Sequence, residues 1–449
     1  MLYHLSYSTV IWGMQRYVFF GTLQIFFEKA WRIFAILAER LNAVMSKIGN
    51  LVRKWTDSSL IVRILIGLVI GAVMGVFLPG WKWIGILGTV FVGALKAIAP
   101  VLVFVLVAAS VAKAGKGLGP RFRTVIGLYL ASTLTAALLA TLASTLFPIT
   151  LTLQDVAEGS APGTLADIFR NLLSNIVANP VASLAGANYV GILFWAVLLG
   201  LALRFVASEG TVTAVSQFAD AVSLVVKWII QFAPFGIMGL VFSAVADSGL
   251  EIFTTYGKLI LLLVGCMLLN ALVMNPLWSF IVTRRNPYPL LWACLKESGL
   301  NAFFTRSSAA NIPINMALCK KLGLEEDFYS VSIPLGATVN MNGAAVTITV
   351  MTMAVAHTVG VEVGFVTALL LGVISTLGAC GASGVAGGSL LLIPMACSFL
   401  GIGNDIAMQA VAVGFIIGVV QDSVETALNS SADAFFTATA EYADRKANG

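Results

Sequence analysis

Charged residues are scarce in this sequence. Asp, Glu, Lys and Arg make up only 10% of its 449 residues, whereas a soluble domain carries about 25%. Hydrophobic residues reach 59% and form long continuous runs without the alternation of a β-barrel. The composition therefore excludes an ordinary soluble domain and predicts an all-α polytopic membrane protein in a lipid bilayer. The net charge of +5 is modest and predicts no nucleic-acid partner.

Residues that bind transition metals or drive catalysis are also few. The only histidines, His4 and His357, are far apart in sequence, and no Ser/His, HExxH or paired catalytic-aspartate motif occurs. The sequence therefore does not predict an enzyme or an organic cofactor. The cysteines lack metal-ligand spacing and are expected to be small reduced core residues: Cys266, Cys294, Cys319, Cys380 and Cys397.

Four polar residues interrupt the last apolar stretch: Asp422, Glu425, Asn429 and Asp433. A charge near a bilayer centre costs roughly 2.5–3.5 kcal/mol on insertion scales, so such residues usually mark a substrate or ion path. At about 100° per residue, offsets of +7 and +11 return to within roughly 20° of the start. Asp422, Asn429 and Asp433 are thus predicted to form one stripe, with Glu425 on its shoulder. The alternative is a structural ion pair with Arg306.

Six helical segments are predicted before residue 288: 60–79, 84–112, 122–147, a broken region at 166–207, 213–246 and 253–283. Residues 1–57 are an N-terminal extension whose first 44 residues are either an interfacial amphipathic segment or an overrun upstream of a start at Met45. Basic residues gather at alternate helix ends, which the positive-inside rule places in the cytoplasm together with the N-terminus. These are Lys47, Arg53, Lys54, Lys113, Lys116, Arg121, Arg123, Arg284 and Arg285.

Two later segments, about 289–322 and 362–400, are hydrophobic but interrupted by small and polar residues. Backbone freed at mid-depth must be buried in protein or line a cavity, so each segment is predicted to be a re-entrant hairpin. Helices near 327–356 and 404–438 follow them, which gives the layout of an inverted repeat. The first of these helices is predicted to break at Asn340–Gly343, where exposed oxygens would suit a hard cation such as Na⁺.

Four motifs together resemble the dicarboxylate/amino acid:cation symporter family, which includes the glutamate transporters. They are TRSSAANIP, PLGATVNMNGA, the Gly-rich second tip and D-x6-N-x3-D, and the resemblance covers about residues 58–440. It is strongest to the bacterial serine/threonine:sodium branch. The resemblance implies eight transmembrane helices with two re-entrant hairpins, and a trimer in the bacterial inner membrane. It also implies a scaffold at 58–252, apart from helix 122–147, a transport core at 253–440 and a tail at 441–449.

The resemblance also implies the binding sites. Asp422 would hold the substrate ammonium and Asn429 its carboxylate. The implied substrate-binding residues are Arg306, Ser307, Ser308, Ala379, Gly381, Gly384, Asp422, Glu425, Thr426 and Asn429. Three sodium sites are implied: Gly336, Asn340, Asn429 and Asp433; then Thr338 and Met341 with the backbone around Thr376 and Leu377; then Tyr129, Ser132, Thr133, Asn340 and Asn342.

Three departures from the family pattern bear on the substrate and the ions. Glu425 stands where members with acidic substrates carry Arg, and Ala344 where they carry Thr. Both changes favour a neutral substrate, because Glu425 would repel an anionic side chain. Asn342 removes a formal charge from the third sodium site. The role of Glu425 stays open between contacting a substrate hydroxyl, compensating Arg306 and carrying a proton.

The sequence thus predicts a sodium-coupled symporter that imports small neutral amino acids, above all L-serine and L-threonine, by alternating access. The alternatives are proton coupling or exchange of neutral amino acids and, from the paired re-entrant segments, an ion channel.

Overall fold

A computed structural model describes residues 58–113, 120–153, 177–382 and 387–448. Neither a strand nor a bridge occurs in these ranges. The predictions for residues 1–57, for most of the first half of the broken region at 166–207 and for Gly384 lie outside them. Contacts divide the chain into a unit that ends at Arg63 and one that begins at Ile64, and the packing and site described below belong to the second.

Every regular element in the described ranges is a helix. The α-helices are α1 (Leu60–Phe77), α2 (Gly85–Lys113), α3 (Pro120–Leu146), α4 (Pro180–Ala185), α5 (Tyr189–Val206), α6 (Glu209–Gln231), α7 (Ala233–Ser248), α8 (Ile252–Leu269), α9 (Asn275–Thr283), α10 (Tyr288–Cys294), α11 (Leu300–Thr305), α12 (Ser308–Lys321), α13 (Glu326–Val339), α14 (Asn342–Thr358), α15 (Phe365–Ala379), α16 (Ile393–Phe399) and α17 (Asn404–Asn448). Two π-helical segments, Asn270–Met274 and Leu295–Gly299, join α8 to α9 and α10 to α11.

Seven helical runs in the described residues are long and apolar enough to cross a membrane, and the run Ala233–Thr283 alone has 51 residues. Large apolar side chains lie on the outside, as Val69, Trp228 and Leu261 do with 57%, 60% and 76% of their surface exposed. An apolar exterior of this extent suits lipid rather than water. The chain is therefore an integral, multi-pass, all-helical membrane protein, as predicted.

Small residues let α1 and α2 approach α7 closely. A Cβ added at Gly71 would lie 2.3 Å from the Met238 carbonyl oxygen, and one at Gly239 would lie 2.5 Å from the Gly88 nitrogen. In lipid the hydrophobic effect does not drive helices together, so the van der Waals contact of closely packed backbones is what stabilises such helix pairs.

Two predicted helix bounds are wrong. The helix predicted at 213–246 is two helices, α6 and α7, and Pro234 lies in the first turn of the second; proline has no N–H for the helix ladder and clashes with the preceding turn. The last helix does not end near residue 438 but continues to Asn448. Glu441 is fully buried there and accepts hydrogen bonds from the Glu325 backbone N–H at 3.0 and 3.1 Å.

An ion pair joins the starts of α3 and α13. Arg121 on α3 donates a hydrogen bond to the carboxylate of Glu325, which precedes α13, and this bond lowers the pKa of Glu325. Arg121 also lies 3.5 Å from Asp444 on α17. The extra turns of α17 therefore share a polar contact with the ends of two other helices.

The remaining helix bounds that lie within the described residues agree closely with the predictions, including the break between α13 and α14 at Asn340 and Met341. Helix α17 packs against α14, α11 and α12. This position buries its polar residues inside the helical bundle and defines the candidate site.

Candidate functional site

The predicted polar stripe on α17 lies inside the protein. Asp422, Glu425, Asn429 and Asp433 are 2%, 5%, 3% and 1% exposed. Buried carboxylates are tolerated only when other groups satisfy them, so the partners of each residue indicate what it can bind.

Asp422 is held by both interrupted segments. Arg306 donates from Nε to Asp422 Oδ2 at 2.6 Å, and the Gly387 backbone N–H donates to Oδ1 at 3.2 Å. Arg306 lies in the left-handed region, with φ 51°, at the turn between α11 and α12. A non-glycine residue there costs of order 1–3 kcal/mol, so it persists only where surrounding contacts fix it. The Arg306–Asp422 ion pair is therefore present, and one carboxylate joins the two turns.

The turn between α11 and α12, here called the first turn, is also held by a helix cap and by hydrogen bonds of asparagine side chains. Ser307 caps α12 by accepting the Ala310 N–H at 3.3 Å, and Ser308 is buried beside it. Asn311 donates to Ser430 Oγ at 2.7 Å, and Asn315 donates to the Ser430 carbonyl at 2.9 Å. The sequence analysis did not single out this network, although two asparagines four residues apart in an apolar helix were a signal for it.

The turn that follows α15, here called the second turn, is tightly packed in its described residues. Ala379 ends α15 and is fully buried, and a Cβ at Gly381 would lie 2.4 Å from Val107 Cγ2 on α2. Gly387 has φ +73°, which favours glycine, and its N–H bonds Asp422. The backbone of the second turn thus contacts Asp422 through Gly387, and the predicted residue Gly384 lies outside the described residues.

Glu425 is surrounded by uncharged donors. Its Oε2 accepts hydrogen bonds from Thr347 at 2.7 Å, Ser389 at 2.8 Å and Gln421. Its compensation is therefore by hydrogen bonds, because the Arg306 guanidinium bonds Asp422 instead. The sequence analysis missed Thr347, Ser389 and Gln421. The spacing of four residues from Gln421 to Glu425 in an apolar helix was a signal for the last.

Asn429 contacts the start of α14. Its Oδ1 accepts the Gly343 N–H at 2.7 Å, and its Nδ2 lies 3.5 Å from Met341 Sδ. A Cβ at Gly343 would lie 3.1 Å from Asn429 Oδ1, so the close approach requires glycine or a shift of α17. Thr426 is buried on the same face of α17.

Gly336, Asn340, Asn429 and Asp433 come together as the first implied sodium site predicts; we call them the Asn340 cluster. Asn340 Nδ2 donates to Asp433 Oδ1 at 2.9 Å and to the Asn429 carbonyl at 3.3 Å. Asn340 Oδ1 and Asp433 Oδ2 are buried with no hydrogen-bond partner among the described residues. Buried polar atoms are nearly always paired, and hard cations prefer oxygen ligands. The oxygen ligands that this cluster offers therefore fit Na⁺.

The third implied site has a different character. Asn342 Nδ2 donates to Ser132 Oγ at 3.0 Å, and Ser132 Oγ donates to Asn275 Oδ1 at 2.7 Å. Asn270, in the π-helical segment after α8, donates to the same Asn275 oxygen at 3.3 Å. We call Ser132, Asn270, Asn275 and Asn342 the Asn342 cluster. It has no carboxylate, and the Asn342 amide directs its N–H₂ group toward Ser132 Oγ.

The other two residues of the third implied site bond elsewhere. Tyr129 Oη donates to the Ser332 and Asp433 carbonyls at 3.2 and 3.3 Å, and it lies 3.0 Å from Thr437 Oγ1. Thr133 Oγ1 donates to the Tyr129 carbonyl of its own helix at 2.8 Å. Tyr129 thus lies beside the Asn340 cluster, and the sequence analysis missed Asn270 and Asn275 as partners of Ser132.

The second implied sodium site is brought together only in part. Thr338 is exposed, and its hydroxyl donates to the Leu335 carbonyl at 2.9 Å; Thr376 likewise donates to the Gly372 carbonyl at 2.7 Å. The second turn does reach the end of α13, because Cys380 Sγ lies 3.4 Å from the Val339 carbonyl oxygen. Met341 instead contacts Asn429.

A buried carboxylate held by two turns, beside a cluster of oxygens that suit a cation, is the kind of site found in membrane transporters, and the proteins that this chain matches are transporters rather than enzymes. The sodium:dicarboxylate symporter family model matches residues 60–442, so this chain belongs to that family, and the predicted family is confirmed.

The chain is most usefully compared with three relatives. It is 60% identical over 403 residues to the serine/threonine transporter SstT of Bifidobacterium adolescentis, which covers 89% of this chain and 94% of the relative. The proteins of the same name from Streptococcus agalactiae and Streptococcus thermophilus are 54% and 53% identical over 391 and 389 residues. Those matches cover 87% and 86% of this chain and 97% and 96% of the relatives.

Proposed function

We propose that this protein is a sodium-coupled symporter that imports serine, threonine and similar small neutral amino acids by alternating access. Its family and the names of its relatives support transport of these substrates. The observation that carries sodium coupling is a pair of buried oxygens without hydrogen-bond donors. They are Asn340 Oδ1, at the break between α13 and α14, and Asp433 Oδ2, one turn beyond Asn429 on α17.

The substrate would bind between the two turns. Its ammonium would bind Asp422, where it must compete with the Arg306 guanidinium or the Gly387 N–H. Its carboxylate would bind near Asn429. Because Gly387 belongs to the second turn, this competition ties substrate binding to the position of that turn. Asn429 belongs to both the substrate site and the Asn340 cluster, so the ion and the amino acid would each raise the affinity for the other.

The architecture proposed from the family is eight transmembrane helices with two re-entrant hairpins, at α10–α12 and α15–α16. The N-terminus would lie in the cytoplasm of a bacterium, and three copies would assemble through scaffold helices within 58–252. Residues 253–440, with α3, would move against this scaffold. Residues 441–448 would continue beyond the transport core as the end of α17.

The decisive experiment is uptake of labelled serine into proteoliposomes with an imposed sodium gradient. We expect accumulation that sodium drives and that unlabelled serine and threonine inhibit strongly, while glutamate and aspartate inhibit weakly. Uptake that persists unchanged without Na⁺ contradicts the coupling. Uptake driven instead by an imposed proton gradient, and altered in its pH dependence by Glu425→Gln, supports proton coupling. Single-channel currents without saturable uptake support a channel.

A further inference from the structure

Three buried polar side chains surround one oxygen of Glu425, and we call these three residues together with Glu425 the cage. Thr347 on α14, Ser389 after the second turn and Gln421 on α17 all donate to Glu425 Oε2. All four residues are at most 5% exposed. The cage therefore joins α14, α17 and the segment that follows the second turn around a single carboxylate.

Gln421 has an oxygen that nothing in the cage uses. Its Nε2 donates both to Glu425 and, at 2.7 Å, to Thr347 Oγ1, which fixes the orientation of the amide. Its Oε1 is buried and has no hydrogen-bond partner among the described residues. A buried acceptor without a donor is costly, so it points to a ligand that supplies the donor.

The cage lies next to the contacts proposed for the amino acid backbone. Gln421 precedes Asp422 directly and is one turn from Glu425. On α14, Thr347 follows by one turn Gly343, whose N–H bonds Asn429. The groups proposed for the substrate ammonium and carboxylate thus flank the cage, and the substrate side chain is the part left to face it.

The chemistry of the cage favours a hydroxyl. Glu425 Oε2 already accepts from all three donors of the cage, whereas the Gln421 Oε1 acceptor has no donor. An anionic side chain would be repelled, an alanine methyl would leave the oxygen unsatisfied, and the O–H of serine or threonine would supply the missing donor.

Given the proposed function, we propose that Gln421 is a specificity-determining residue for hydroxyl amino acids, with Thr347 as the residue that positions it. The Gln421 amide nitrogen orients Glu425, and its oxygen accepts the hydroxyl of the bound substrate. Thr347 fixes the amide by accepting from Nε2 while its own proton goes to Glu425.

The test compares serine with alanine uptake in proteoliposomes of the full-length protein. In Gln421→Leu we expect the KM for serine to rise about tenfold, the scale of one buried hydrogen bond, and the KM for alanine to change less than twofold. Gln409→Leu makes the same change three turns earlier on α17, outside the cage, and should keep the wild-type serine-to-alanine ratio. An equal rise for both substrates, or no change, would overturn the proposal.

A second pair of variants keeps the test decisive if Gln421→Leu does not fold. Thr347→Ser retains the hydroxyl and should keep the preference for serine, whereas Thr347→Val should reduce it. If both variants behave alike, the proposal is wrong. The wild-type protein separates failure of this proposal from failure of the proposed function. Sodium-dependent serine uptake with unaltered selectivity in the variants would contradict the role of Gln421 alone. Absence of serine uptake by the wild type would contradict the proposed function.

Discussion

Asn340 and Asn342 stand two residues apart at one helix break, yet they enter clusters of opposite character. The Asn340 cluster contains the carboxylate of Asp433 and two buried oxygens without donors. The Asn342 cluster contains no carboxylate, and its side chains are linked by hydrogen bonds of 2.7–3.3 Å. The neutral Asn270 Oδ1 is buried there without a hydrogen-bond partner among the described residues.

This difference indicates that one cluster suits a bound cation and that the other contributes hydrogen bonds between helices. A hard cation needs several oxygens that are free of protons and preferably one formal negative charge. The Asn340 cluster meets both conditions. The Asn342 cluster instead links α3, α14 and the π-helical segment between α8 and α9 through hydrogen bonds of uncharged groups. These bonds satisfy polar groups that the π-helical segment places in an apolar interior. We therefore expect sodium at Asn340 and Asp433, and a structural role for Asn342.

Removing the charge of the Asn340 cluster should have the largest effect. In Asp433→Asn we expect the sodium concentration for half-maximal serine uptake to rise at least roughly a hundredfold, or about 2.7 kcal/mol of binding energy. The sodium dependence of uptake in proteoliposomes measures it. Asp444→Asn, on the same helix but away from the cluster, is the matched control. Near-normal sodium dependence in Asp433→Asn would break the comparison.

Crowding the same cluster should have a smaller effect. A Cβ at Gly336 would lie 2.9 Å from Asp433 Oδ1 and 2.8 Å from Tyr129 Oη. Overpacking of this kind typically costs 1–3 kcal/mol, so Gly336→Ala should weaken the apparent affinity for sodium by roughly tenfold. Gly257→Ala adds the same methyl group where nothing lies within 4 Å and should leave that affinity unchanged. A Gly336→Ala protein with wild-type affinity would show that the cluster can shift freely.

Substitution in the Asn342 cluster should affect stability instead of ion binding. Asn342→Ala removes the donor to Ser132 and should lower the free energy of unfolding by about 1–2 kcal/mol. Thermal unfolding in detergent measures this loss, and the sodium titration of uptake should stay within twofold of wild type. A tenfold loss of sodium affinity with unchanged stability would instead place a cation in the Asn342 cluster.

The smallest effect is expected at Thr133. Its hydroxyl donates only within its own helix in the described contacts, and such bonds contribute little to helix stability. Thr133 is fully buried, so Thr133→Val should change the free energy of unfolding by less than about 1 kcal/mol, the net value of one ordinary hydrogen bond, and leave the sodium titration unaltered. A marked loss of sodium dependence would show that the hydroxyl turns toward a cation.

Much of this organisation could be predicted from the sequence, because a bilayer tolerates few patterns. Acids in an apolar helix predicted a buried site on α17, and the Asn–Gly motif predicted the helix break at residue 340. The break inside 213–246 was missed although Pro234 signals it, because the apolar run continues on both sides. The end of α17 was missed because Glu441 and Asp444 are typical of an exposed tail, whereas Glu441 is buried against the start of α13.

The partners of each polar group were much harder to predict. The sequence left Glu425 open between three roles, and Arg306 was a candidate partner for both acids. The structure pairs Arg306 with Asp422 and surrounds Glu425 with Thr347, Ser389 and Gln421. These residues lie up to 78 positions away along the chain, and helical periodicity carries no information about contacts between distant helices.

The class of protein, most of the helical spans, the break at residue 340 and the family could all be predicted from the amino-acid sequence. Hydrophobic length and the cost of free backbone in lipid act locally and can be read one segment at a time. Tertiary packing was needed to show that Asn340 faces a carboxylate and oxygens without donors, whereas the neighbouring Asn342 forms hydrogen bonds with uncharged groups. That choice depends on where α3, α8, α14 and α17 meet, because a buried polar group takes its role from the donors and acceptors that packing brings within about 3 Å.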